Sequence, residues 1–97
     1  MKGYRLRPAA EVDLDNIWSY TAITWSADQA ERNVSGLFDA FASIADNPAL
    51  GARVDLLREG YRRFKRGHHL IFCVIASGGE VEVIRALHEN SDLPQHL

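Results

Sequence analysis

Hydrophobic positions set out two helices and a hairpin along this chain. Leu14, Ile17, Trp18, Thr21 and Trp25 recur at steps of three and four, which is one face of a helix. Glu11, Asp13 and Asp15 crowd its first turns, where the helix dipole favours negative charge, and Pro8 suits the first helical position. Ser26-Ala27-Asp28-Gln29 reads as a capping box that stops this helix and starts another. The second helix carries the stripe Ala30, Val34, Leu37, Phe38, Phe41, Ile44 and Ala45, and Asn47-Pro48 ends it, because a residue before proline is pushed out of helical geometry. From His69 to Ile75 the chain is apolar almost without a break, as expected of a central strand buried on both faces. Ser77-Gly78-Gly79-Glu80 predicts a two-residue Gly-Gly hairpin loop. Val81-Glu82-Val83 then alternates before Ile84 to Leu87 enters the core.

Two weaker strands complete the pattern. Tyr4-Arg5-Leu6-Arg7 alternates ahead of the first helix, and Tyr61 to Gly67 forms a polar strand opened by Gly60. Residues 48–59 read as a connection with Gly51 and little pattern, and the tail past His88 is polar, with Ser91 placed to cap a final turn. The expected fold is a single α+β domain over residues 1–97, ordered β-α-α-β-β-β. Its N-terminal helical hairpin packs on one face of a small antiparallel sheet, because a bare helical hairpin could not cover its own stripes.

Composition narrows the function. A chain of 97 residues, 46% hydrophobic and 25% charged, holds one core. The formal charge of -2 weighs against nucleic acid as the main ligand, so no direct nucleic-acid binding is expected. No apolar run approaches the ~20 residues of a membrane span, no signal peptide is visible, and the lone Cys73 excludes a disulfide framework. These traits fit a soluble cytoplasmic protein without a membrane partner.

Five bases fall close together at Arg58, Arg62, Arg63, Lys65 and Arg66. They read either as charge that protects an edge strand from pairing with other chains or as a binding face. Arg85, inside an apolar strand, calls for a partner, and a structural ion pair is favoured over contact with a target. Asp13 reads equally as a helix-start charge or as the mate of a base in the sheet. His68, His69, His88 and His96 show no paired metal-ligand motif, and adjacent strand residues face opposite ways, so no cofactor or metal is expected. Cys73 reads as a small buried hydrophobe, and Trp18 and Trp25 as residues of the core stripe or its edge.

Several local motifs, taken in order, resemble the ParE branch of the RelE/ParE toxin superfamily from Tyr4 to about Asp92. They are Ala10-Glu11-Val12-Asp13-Leu14 with Ile17-Trp18-Ser19-Tyr20, then Asn47-Pro48 with Gly51. Leu57-Arg58 with Gly60-Tyr61-Arg62-Arg63 follows, and then Val83-Ile84-Arg85-Ala86-Leu87-His88 with Asp92. The resemblance implies a helical hairpin on an antiparallel sheet and the toxin component of a type II toxin–antitoxin system. It further implies a protein inhibitor of DNA gyrase, not an enzyme, neutralised by a ParD-like antitoxin.

The alternative within the superfamily is a ribosome-dependent mRNA endonuclease. That chemistry needs an acid–base set and a basic surface. Here Glu89 follows His88 where an aromatic hydroxyl could serve, and no tyrosine occurs after Tyr61. A third reading is a solitary homologue acting only as a binding module. A short chain leaves part of its helical stripe open near the hairpin tip. Trp18, Trp25, Arg62, Arg63 and Arg85 are therefore the candidate antitoxin-binding residues, and Arg58, Arg66 and His88 the candidate target-binding residues.

Overall fold

The computed structural model describes residues 3–55 and 58–91. Leu57 and Asp92 of the motif set, and the tail beyond Ser91, lie outside the described residues. The order is β1 (Tyr4–Leu6), α1 (Pro8–Thr24), α2 (Ala27–Asp46), a 3₁₀ turn (Pro48–Leu50), β2 (Ala52–Arg53), β3 (Arg62–Arg66), β4 (His69–Ile75) and β5 (Val81–His88). Arg7 enters α1 in extended geometry and Pro8 takes the first turn, with no side-chain cap. Ser26 Oγ accepts the Gln29 N–H at 3.0 Å and caps α2. The reciprocal half of the capping box is not made. Gln29 instead donates to Asn33 Oδ1 at 2.7 Å and accepts from Arg32 at 2.9 Å.

The five strands form one sheet in the order β1-β5-β4-β3-β2. Its β3-β4-β5 meander is antiparallel as expected, but β1 joins β5 in parallel, Tyr4 opposite Val81 and Leu6 opposite Val83. The sheet is therefore mixed, not wholly antiparallel. The chain leaves β1 through the helical hairpin and returns beside it only with β5, a crossover long enough for parallel pairing. The connection read as patternless contains β2, whose Ala52 and Arg53 pair with Arg63 and Arg62. Two exposed residues carry no periodicity, so only their partner strand defines them.

Both faces of the sheet are covered. On the helical face Leu14, Leu37, Phe41 and Ile44 meet Ile71, Cys73, Val81 and Val83, with Ile17, Phe38 and Phe64 at the margin. Burial there pushes the Cys73 thiol up to about 12, which fits a packing role. On the opposite face Leu70, Phe72, Ile84 and Leu87 gather Val54, Tyr61 and Val74 into a smaller cluster. Gly51 sits under the Phe64 ring: a Cβ there would lie 2.4 Å from Phe64 Cζ, so only glycine fits. Among the described residues no helix is long and apolar enough to cross a membrane.

Two turns and a bulge set the register. The β3–β4 link is the two-residue Gly67-His68 loop, with Gly67 at φ +59, as the primed hairpin turn with glycine first requires. The β4–β5 loop is longer than the Gly-Gly pair predicted. Ala76 N–H bonds Glu80 O at 2.8 Å, and Gly79 N–H bonds Ala76 O at 2.8 Å. That encloses Ser77-Gly78-Gly79 as a three-residue loop, with Gly79 at φ +87. In β5, Val83 pairs with Cys73 and Arg85 with Phe72, leaving Ile84 as an extra residue. This bulge explains the broken alternation of the strand. Val83 faces the helices, Ile84 the other side, and Ala86 pairs with Ile71 of the helical-face core.

Candidate functional site

The helical hairpin does not cover the whole of its sheet face. Where α1 and α2 meet at Trp25, the ends of β4 and β5 remain open beneath them. The result is a groove of about 760 Å³, lined on the helical side by Ile17, Tyr20, Trp25, Gln29 and Asn33, and on the strand side by His69, Leu87 and His88. Asp13 also lines it.

Asp13 fixes the groove from behind. Its carboxylate accepts two bonds from Arg85, from Nε to Oδ2 at 2.7 Å and from Nη2 to Oδ1 at 2.7 Å. It also accepts the Ala86 N–H at 3.0 Å. Asp13 is only 6% exposed, yet all its bonds are charge-assisted, which keeps a buried carboxylate tolerable. The Arg85 guanidinium is correspondingly held above its ordinary value, chiefly by the bond to Asp13. Arg85 is thus tied to the helical hairpin, and Asp13 is the mate of a base in the sheet.

At the strand end, His69 and His88 are cross-strand partners, and His68 occupies the neighbouring turn. The His88 ring stacks on His68 with centroids 6.2 Å apart and meets His69 edge-on at 5.8 Å. The expected separation of His68 and His69 onto opposite faces does not arise, because His68 is a turn residue and precedes the strand. His68 Nδ1 pairs with the Glu89 carboxylate, which also takes Lys65 at 3.1 Å. Those two bonds, His68 first, hold Glu89 below the usual carboxylate range. His88 Nδ1 accepts the Asn90 N–H at 3.2 Å. Burial, then the nearby His88 and His68, holds His69 below its ordinary value. Among the described residues no three His, Cys, Asp or Glu side chains are placed to hold a metal ion.

The structure spreads the other candidates widely. Trp25 stands 76% exposed at the hairpin tip and Trp18 is 36% exposed, so both belong to the open edge of the stripe and not to the core. Arg62 and Arg63 alternate across β3: Arg62 donates to Gly51 O at 3.1 Å, while Arg63 is exposed on the side away from the helices. Arg66 reaches α2, where a Cβ on Gly36 would lie 3.3 Å from its Nη2. Arg58 is exposed in the bend before Gly60. Only Trp25 and His88 of the eight candidates line the groove. Tyr20, Gln29 and Asn33 were not singled out, although their position beside the helix–helix turn is visible once the capping box is placed.

A helical hairpin on a mixed sheet, open at one end over a largely apolar groove, defines the α+β class of the RelE/ParE-like toxins. The family model described as the ParE toxin of the type II toxin-antitoxin system parDE matches residues 4–93, and the chain belongs to that family. It is 37% identical over 94 residues to Toxin ParE1 of Mycobacterium tuberculosis, covering 97% of this chain and 96% of the relative. It is 39% identical over 97 residues to Toxin ParE1 of Caulobacter vibrioides, covering 100% of this chain and 99% of the relative. A solved structure described as the chromosomal ParDE TA system from P. aeruginosa shares the fold, with a TM-score of 0.72 at 17% identity over 91% of this chain and 98% of that one.

Proposed function

We propose that this toxin acts by binding DNA gyrase, without catalysis, and is neutralised by a ParD-like antitoxin that lays an amphipathic segment in the groove. The groove carries the reading. It is apolar along Ile17, Tyr20 and Trp25, and polar along Gln29, Asn33 and the histidines. That is the surface a helix with one apolar and one charged face would complement. Trp18 is exposed on α1 beside it and would meet a flanking part of the antitoxin, whereas Arg63 faces away from the groove on the other side of the sheet. Arg62 and Arg85 serve by holding the connection and Asp13 in place. Arg58 and Arg66 remain the proposed gyrase-facing bases, whereas His88, by its position, goes with the docking segment.

The groups near the strand end support a non-catalytic role. Arg85 is engaged by Asp13, Glu89 by Lys65 and His68, and His88 Nδ1 by a backbone N–H. Inducible expression tests the reading. Growth should stop with a DNA-damage response and intact mRNA, purified protein should block gyrase supercoiling, and the ParD-like product of the adjacent reading frame should relieve both effects. Codon-specific cuts in the ribosomal A site that vanish in His88→Ala would move the assignment to the endonuclease branch.

A further inference from the structure

The histidine end of the groove differs from the rest of its lining in one respect: its acids are already engaged, while the His69 ring and Nε2 of His88 make no hydrogen bond among the described residues. Asp13 holds Arg85 and the Ala86 N–H, and Glu89 holds Lys65 and His68. His88 uses Nδ1 as an acceptor from Asn90, so its neutral ring carries its proton on Nε2, a donor available to a ligand. The His69 ring, half-buried against the groove, makes no hydrogen bond within the described residues. It sits between His88 on β5 and Arg66 on β3, its two register partners. From α1 it faces Asp13, already engaged, and Tyr20; from α2 it faces Gln29 and Asn33, with Arg32 bonded to Gln29. Donors and cations therefore exceed available acceptors here.

We propose that His69 and His88 form an acid-receiving subsite, which binds a carboxylate of the docking segment while His69 takes up one proton. This rests on the antitoxin reading above and specifies what the segment must bring to this end of the groove: an Asp or Glu side chain, or a chain-terminal carboxylate. The imidazolium offers that carboxylate a charge-assisted bond in place of the water it gives up on docking. Before binding, burial first and then His88 and His68 hold His69 below its ordinary value, with Glu89 acting weakly the other way. Binding raises its proton affinity. The gain in affinity is thus present at low pH and is lost as pH rises through the value His69 has in the complex.

The experiment is titration calorimetry of the full chain with the product of the adjacent ParD-like reading frame, from pH 8 to pH 6. Repeating it in buffers of different ionisation heat counts the protons taken up. Affinity should rise about tenfold over that range, with net uptake averaging about half a proton across it. His69→Gln should bind with a flat pH profile, and His88→Gln should lower affinity at both ends of the range. A wild-type complex that forms with no proton uptake overturns the subsite and leaves the antitoxin reading standing. So does a pH dependence that survives in His69→Gln. No complex at either pH overturns both.

Discussion

The two helices lie side by side and divide their labour unevenly. In α2 the stripe Leu37, Phe41 and Ile44 is buried and the charges Asp28, Glu31, Arg32 and Asp39 face water. In α1 the assignment is partly reversed: Asp13 is buried, while Val12, Tyr20 and Ile23 are exposed, Ile23 at 87%. A helix that hides a charge and shows its hydrophobes is doing something besides covering a core. The contrast separates a helix whose sequence is explained by folding from one that also shapes a binding groove.

Truncating the α2 core tests the first half of that contrast. Phe41, fully buried and edge-on to Tyr4 and Phe38, should cost about 3–5 kcal/mol as Phe41→Ala in chemical denaturation. A loss below about 1 kcal/mol would put Phe41 outside the core. Next is the inward charge of α1. Asp13→Ala removes the two charge-assisted bonds to a guanidinium that is 19% exposed, so it should cost about 3 kcal/mol, the low end for a broken buried pair. Replacing Asp13 and Arg85 together by apolar residues of similar volume should recover most of that loss; no recovery would show that the Ala86 N–H bond is what matters. Ser26→Ala removes the one side-chain cap of the hairpin and should cost about 1 kcal/mol, read as a lower thermal midpoint. Smallest in stability is Trp25→Ala, within about 0.5 kcal/mol, because the side chain is exposed. The same substitution should weaken antitoxin binding by about 2 kcal/mol or more if Trp25 anchors the docked segment. Equal affinity for both forms would return Trp25 to the ordinary surface.

The sequence made the helices legible because their evidence is local: a capping serine, a proline after asparagine, and a stripe repeated over several turns. It left Trp25 between the core stripe and its edge, because periodicity gives an angle around the helix but not how far the helix is covered. The sheet was legible where strands are long. Two-residue β2 and the parallel pairing of β1 depend on partners distant in the chain, so no window of residues contains them. The histidine cluster was hidden by one turn. Had Gly67-His68 been read as the hairpin loop, His69 would have fallen opposite the strand that ends in His88. A structural ion pair for Arg85 was legible, since an apolar strand leaves such a charge few alternatives, but its mate was not: Asp13 read equally as a helix-start charge. Only the bulge at Ile84, which no composition announces, explains the break in alternation just before that arginine.

The placement of β5 between β1 and β4 also bears on the order in which a growing chain can fold. Of the described elements, β5 is the last to leave the ribosome, yet β1, one of the first, has no other strand to pair with. Until Val81–His88 emerges, the hairpin of α1 and α2 can form but lacks Val81 and Val83 beneath it, and Asp13 has no arginine. Long-range closure of this kind slows folding, because the loop entropy is lost before the contacts that offset it exist. The sheet beneath the helical hairpin is therefore incomplete until nearly all of the described residues have been made. Any truncation short of β5 should abolish toxicity together with the fold.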